Sequence, residues 1–190
     1  ELNVSGNYSI DDKNYQKFNV KNIFEKNSLD MVLSLDTNQK IKINVINFEK
    51  EINKDAKINL DLNFNKKNSI INIKQLDYLE NKNAIIIKNL KIKKNKFLSL
   101  EKLKIKTYQQ SDLKNDFDLS FKKKIIIKGK RYDARNLNKY FSKKLKTNYF
   151  KNINANIDID FNKIETPLSE KLLNFKLLGM IEKGKFNKIS

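Results

Sequence analysis

The chain has 190 residues, with 40 Lys and Arg against 22 Asp and Glu and a formal net charge of +18. It contains no cysteine and no histidine, which excludes disulfides, thiolate or imidazole metal sites, and Ser-His-Asp or Cys-His catalysis. One proline and four glycines leave Asn, Asp and Lys-Asn pairs to make the turns.

Apolar residues alternate with polar ones along nearly the whole chain, the period of a strand with one oily face. Leu2, Val4, Tyr8 and Ile10 alternate loosely, with Gly6 as a candidate bulge. Phe18, Val20 and Ile23 predict a second strand, then Leu29, Met31, Leu33 and Leu35 a third. Ile41, Ile43 and Val45 form another set, and Asn47 to Asp55 reads as a loop or short helical turn. Ile58, Leu60, Leu62 and Phe64 alternate with Asn59, Asp61 and Asn63. After a turn, Ile71 and Ile73 resume the apolar face, and Leu76 to Leu79 are expected to pack at the strand end. Ile85, Ile87, Leu90 and Ile92 predict a long strand, bulged near Asn89. Leu98, Leu100, Leu103 and Ile105 continue to a polar gap at Tyr108 to Ser111.

The period changes once, between Leu113 and Phe150. Phe117, Leu119 and Phe121 alternate, Lys122 to Lys124 turn the chain, and Ile125 to Ile127 make a β-branched strand. Gly129 suits a bend or a positive φ. Asp133 then suits the N-cap of an amphipathic helix over about 133–147, whose stripe is Ala134, Leu137, Tyr140, Phe141 and Leu145. Alternation resumes in Ile153, Ala155, Ile157, Ile159 and Phe161. Pro167 marks a turn, and Leu173, Phe175 and Leu177 begin a last hairpin that turns at Lys183 and Gly184.

About a dozen strands at this spacing predict a mainly β fold: an antiparallel meander, curved into a groove or closed as a sandwich, forming one β-rich domain over residues 1–190. Regular βαβ alternation is missing, which argues against a parallel α/β sheet. Starting at Glu1, without an initiator Met, the sequence reads as a segment of a longer protein. It shows neither a signal peptide nor a run near the ~20 apolar residues of a membrane span.

A charge of +18 suits an anionic partner. Yet Lys, Asn and Ile are abundant together, as AT-rich codons produce, and Arg131 and Arg135 are the only arginines. Arg is the residue suited to bidentate phosphate contacts, so a nucleic-acid partner is not expected. Asp116 with Asp118, and Asp158 with Asp160, share strand faces that could hold Ca²⁺ or act as acid and base, but they read as solvated faces. No phosphate-binding Gly-rich loop occurs. No catalytic residue, metal or cofactor is therefore expected.

The stretch FDLSFKKKIIIKGKRYDARNL resembles a motif of AsmA-like proteins, particularly the YhdP type. There a hydrophobic strand leads to Gly, then to an apolar-Asp pair, then to a helix. The matching positions are Ile127, Gly129, Tyr132, Asp133, Ala134, Arg135 and Leu137, with Tyr132 where the family commonly has an aliphatic residue. The flanking alternating strands are similar in style. The resemblance implies a large Gram-negative envelope protein, anchored in the inner membrane by an N-terminal segment and crossing the periplasm as a curved β-sheet groove. It would shield phospholipid acyl chains in transit to the outer membrane, with other envelope proteins as possible partners. The groove floor would then be Ile58, Leu60, Leu62, Phe64, Ile71, Ile73, Ile153, Ile157, Ile159, Phe161, Phe175 and Leu177. Two alternatives stay open: a basic β-sandwich that binds nucleic acid or an anionic surface, and a surface β-protein with no lipid role.

Overall fold

In a computed structural model, the alternation resolves into a single large sheet beside one small ribbon. The structure describes residues 1–10, 13–137, 153–168 and 170–189. β1 (Leu2–Tyr8), β2 (Gln16–Phe24) and β3 (Ser28–Thr37) form an antiparallel meander. The chain then leaves the sheet for a two-stranded ribbon of β4 (Ile41–Ile43) and β5 (Phe48–Lys50), joined by a 3-10 turn over Asn44–Ile46. It returns as β6 (Ala56–Asn65), which pairs with β3. Hairpins follow through β7 (Ile70–Glu80), β8 (Asn83–Lys93), β9 (Lys96–Gln109), β10 (Asp112–Phe121) and β11 (Lys124–Asp133). β12 (Ala155–Glu165) lies parallel to β11, and β13 (Lys171–Glu182) and β14 (Lys185–Ile189) complete the sheet. Among the described residues the sheet has twelve strands with β1 and β14 at its edges, and it is not closed.

The fold is thus mainly β, and all its sheet pairs are antiparallel except one. This is the mostly antiparallel meander expected, and the one parallel pair among the described strands is β11–β12. Of the predicted helix over 133–147, residues 138–147 lie outside the described residues. Asp133 itself ends β11, and Leu137 N–H donates to Ala134 O at 2.9 Å in the turn that follows.

Register aligns the apolar side chains into rows that cross the sheet. Val20, Leu33, Leu60, Leu76, Ile87, Leu103, Leu119, Ile127, Ile159 and Leu177 stand opposite one another in succession. Cross-strand partners share a face, so ten strands contribute one apolar residue each to this row. Leu76 and Tyr78 belong to the interior of β7, not to a strand end. The step from Ile73 to Leu76 breaks the period of two, and a register shift against β6 at Asp61/Leu62 returns both sets to one face. The same three-residue step recurs at Ile87 to Leu90 and Leu100 to Leu103. Asn89 takes φ 49° inside β8, where the irregularity was expected.

Tight turns use non-glycine residues at positive φ. Lys94–Asn95, Gln110–Ser111 and Lys183–Gly184 all hold positive φ at both central positions, as right-handed strand twist demands of two-residue loops. Gly129 is different: its φ is not left-handed. A Cβ there would meet Phe117 Cβ at 2.3 Å and Asp116 O at 2.4 Å, beside the β10–β11 bulge. Close approach of backbone, not turn geometry, requires this glycine. Gly129→Ala is expected to lower unfolding free energy by about 1–3 kcal/mol. Gly6→Ala, on an edge strand with Phe18 Cε1 at 3.3 Å, should change it much less. Urea denaturation of both variants checks the contrast.

Candidate functional site

The two faces of the sheet differ in chemistry. The polar face is laced with ion pairs between strands. Lys74 Nζ lies 3.1 Å from Asp30 and 3.5 Å from Asp61, Lys102 lies 3.2 Å from Asp118, and Lys124 and Lys128 reach Asp158 at 3.0 and 3.7 Å. Hydrogen bonding from Lys124 holds the Asp158 carboxyl below its ordinary range. Asp118 and Asp158 are thus engaged as surface ion pairs. Among the described residues no group of three or more Asp and Glu is placed to hold a metal ion. No helix among them is long and apolar enough to cross a membrane.

The apolar face is covered unevenly. Toward β10–β12 it is sealed: Phe117, Phe161, Ile157, Ile125 and Ile153 are all at most 8% exposed. Toward β3–β8 it is not. Ile58, Leu60, Leu62, Phe64, Ile71 and Ile73 have neighbours on both sides within the sheet, yet each is only half-buried. Ile159, Phe175 and Leu177 are half-buried too. Of the twelve residues expected to form a groove floor, register therefore brings eleven onto one face, and Ile153 packs beside it just before β12. Ile153, Ile157 and Phe161 are closed core rather than open floor.

The β4–β5 ribbon produces the seal at one end of the strands. Ile46 and Phe48 are 2% and 5% exposed, and they pack with Tyr78, Ile85, Ile105, Phe117 and Phe161. The Phe48 and Tyr78 rings meet edge to face at 5.7 Å. Polar groups fix the ribbon's position. Asn115, wholly buried, donates to Ile46 O and to Thr107 Oγ1, both at 2.8 Å, and accepts from Asp133 N–H at 2.9 Å. Tyr132 stacks on Phe161 at 5.6 Å, and its hydroxyl donates to Val45 O at 2.7 Å. Burial pushes that phenol up to about 12. Lys50, 1% exposed, donates to Gln39 O at 2.8 Å and Glu51 O at 3.1 Å. Burial pulls its pKa down.

Asp133 is the hub behind this clasp. Its side chain is fully buried, and it accepts from Asn47 Nδ2 at 3.0 Å and from Arg135 Nε and Nη2 at 2.9 and 2.6 Å. Burial alone would raise its pKa, but the bonds from Arg135 and Asn47 outweigh it and hold the carboxyl below the usual range. Asn47 also bonds Asn136. Glu165 continues the network, with Arg131 at 2.5 Å, Lys163 at 3.4 Å and Arg135 at 3.5 Å. Ala134 N–H donates to Glu165 O at 2.8 Å, tying the end of β11 to β12. Tyr132, Asp133 and Ala134 thus serve the junction of β11, β12 and ribbon, Leu137 packs against the same cluster, and Gly129 serves the close approach of β10 to β11. Asp133 also bonds the N–H of Arg135 at 3.2 Å, a bond of the capping kind.

Sequence reading missed Asn115, Thr107 and Lys50. The first two leave a trace: both interrupt an apolar alternation, Asn115 before Phe117 and Thr107 after Ile105, and they face each other across β9 and β10. Lys50 leaves none.

The architecture is that of an open, one-sided β-sheet with a clasped end. No family profile, curated protein or solved structure matches the chain.

Asn115→Leu is expected to cost about 2–3 kcal/mol, because Ile46 O and Asp133 N–H lose their buried partner. A depressed carboxyl stabilises the fold above its unfolded value near ~3.9, and that contribution is lost as pH falls through the folded value. Wild-type stability should therefore drop below about pH 4, and Asp133→Asn should flatten that drop while lowering stability at neutral pH. Urea midpoints across pH 2–7 measure both effects.

Proposed function

We propose that the chain shields phospholipid acyl chains on its open apolar face, as a segment of an AsmA-like envelope protein that passes lipid between the inner and outer membranes. One observation carries this reading: beyond the ribbon, which covers Tyr78 and Ile85, the apolar rows run on with Leu60, Leu62, Phe64, Ile71 and Ile73 half-buried and under no described element. Leaving such a face to water is costly, and lipid tails would cover it at a gain of ~0.8 kcal/mol per buried CH₂. The face needs no catalytic group for this, because the work is passive burial. Half-exposed floor residues make lateral contact with one another, so the sheet stands without an occupant and can exchange one. The motif that carries the AsmA-like resemblance supports this reading, since its Asp133 and Ala134 build the junction that clasps one end of the floor. Periplasmic placement, and anchoring through another part of the parent protein, follow from that assignment.

Protein purified mildly from a bacterial host is expected to carry phospholipid, visible by native mass spectrometry and by extraction. Leu60→Asn, Leu62→Asn and Ile73→Asn together replace open floor residues rather than sealed core. The triple variant should keep its β circular dichroism and lose most of the bound lipid. Wild-type protein that is folded and lipid-free, and takes up none from vesicles, refutes the reading.

A further inference from the structure

Strand direction sorts the turns onto two rims of the sheet, and the two rims carry different charge. One rim collects the connections β2–β3, β6–β7, β8–β9, β10–β11 and β13–β14. Residues 25–27, 66–69, 93–96, 122–124 and 182–185 of these turns hold eleven lysines and two glutamates. Among the described residues, only Lys124 of the eleven pairs with a carboxylate. The opposite rim holds the ribbon, the β7–β8 and β9–β10 turns and the Glu165 junction, and there carboxylates and cations are about equal in number. Overall basicity does not explain this contrast, because it divides the chain by turn rather than by composition.

Neighbouring turns of the lysine rim are also bonded to one another. Lys66 N–H donates to Asn27 O at 2.9 Å, and Lys94 N–H to Ser69 O at 3.4 Å. Turns two strands apart recur about every 9.5 Å. The β2–β3, β6–β7 and β8–β9 turns are thus cationic stations along the open floor, whereas the β10–β11 turn borders the sealed part, where Phe121 and Ile125 are buried. Phe24, Phe64, Ile71, Ile92 and Phe97 form the floor row next to it.

We propose that this rim holds the phosphate groups of phospholipids whose chains lie on the floor, a proposal that rests on the lipid-shielding reading above. Charge complementarity and adjacency select the ligand: an anion joined to an oily chain meets both surfaces at once. The choice of Lys suits a ligand that moves. An ammonium is a compact point charge on a flexible stem, whereas Arg fixes a planar fork. Both arginines are engaged at the other rim, with Asp133 and Glu165. Headgroups would therefore sit on one side of the sheet, and tails would run toward the clasped end.

The test compares uptake from vesicles of fluorescent phosphatidylglycerol with that of fluorescent diacylglycerol bearing the same chains and no phosphate. Wild type should prefer phosphatidylglycerol by about fivefold, corresponding to roughly 1 kcal/mol. Lys26→Glu, Lys66→Glu, Lys67→Glu and Lys94→Glu, all exposed turn positions, should together abolish the preference and leave diacylglycerol uptake unchanged. Lys17→Glu, Lys57→Glu, Lys82→Glu and Lys171→Glu change net charge equally near the opposite rim and should keep the preference. Equal uptake of both lipids by wild type, or equal loss in both variants, overturns the rim proposal while the floor reading stands. Uptake of neither lipid overturns both. Competition by a short RNA that binds wild type more tightly than phosphatidylglycerol assigns the rim to nucleic acid and overturns the proposal as well.

Discussion

Cross-strand register is the constraint on which the structure depends. Side chains in a strand alternate with a period of two, so a slip of one residue would send a strand's whole apolar set to the polar face. Here the succession from Val20 to Leu177 admits no slip, because each strand's apolar residues must meet those of two neighbours. The three-residue steps in β7, β8 and β9 lie side by side, and the register shifts against β6 and β10 bracket them. An irregularity in one strand alone would misalign the rows; carried through three, it leaves them continuous. On the reverse face Lys74, Lys102 and Lys124 pair across strands with Asp30, Asp118 and Asp158. These exposed pairs add little stability, but they penalise the same slip.

A long antiparallel sheet commonly packs one face and wets the other. This sheet packs only part of its apolar face. The ribbon covers one end, and it does so with few apolar residues, chiefly Ile46 and Phe48. Its hold comes from polar groups that would be expensive to leave unpaired: Asn115, the Tyr132 hydroxyl and Asp133. Those groups also join β10, β11 and β12. The clasp and the one parallel pair are therefore a single structural unit, and the open part of the floor lies on β3 and β6–β8 toward the ends away from the ribbon.

How far the fold was legible depended on periodicity. Ile58 to Phe64 alternates without a break and was read to within two residues of β6. Ile73 to Leu76 breaks the alternation by one residue, and the second half of β7 was lost to that step. Of the ribbon, β4 was legible in the alternation of Ile41 and Ile43, whereas β5 was not, because Phe48–Lys50 is three residues long and gives no period to count. Gly129 was noticed, but for a local reason, whereas the reason is the approach of Phe117 from another strand. The floor residues were legible as a set because alternation reveals a face. Which of them would be sealed was not, since Ile157 and Leu60 have the same local pattern and differ only in what other strands place around them, Ile157 being enclosed by Leu100, Phe121, Ile125 and Ile153.

The parallel junction has a consequence for where each later connection emerges. In an uninterrupted meander, successive turns exit on alternate sides without exception. Running β12 alongside β11 in the same direction resets that alternation by half a cycle. The β12–β13 connection with Glu165 and Glu170 thereby joins the side of the ribbon, and the Lys183–Gly184 turn joins the other lysine-bearing turns. Had β11 and β12 been a simple hairpin, these two connections would have exchanged sides, and the lysine rim would have lost a basic turn and gained the Glu165–Glu170 connection. The crossover acts as a phase correction that keeps the two borders electrically distinct along the length of the sheet.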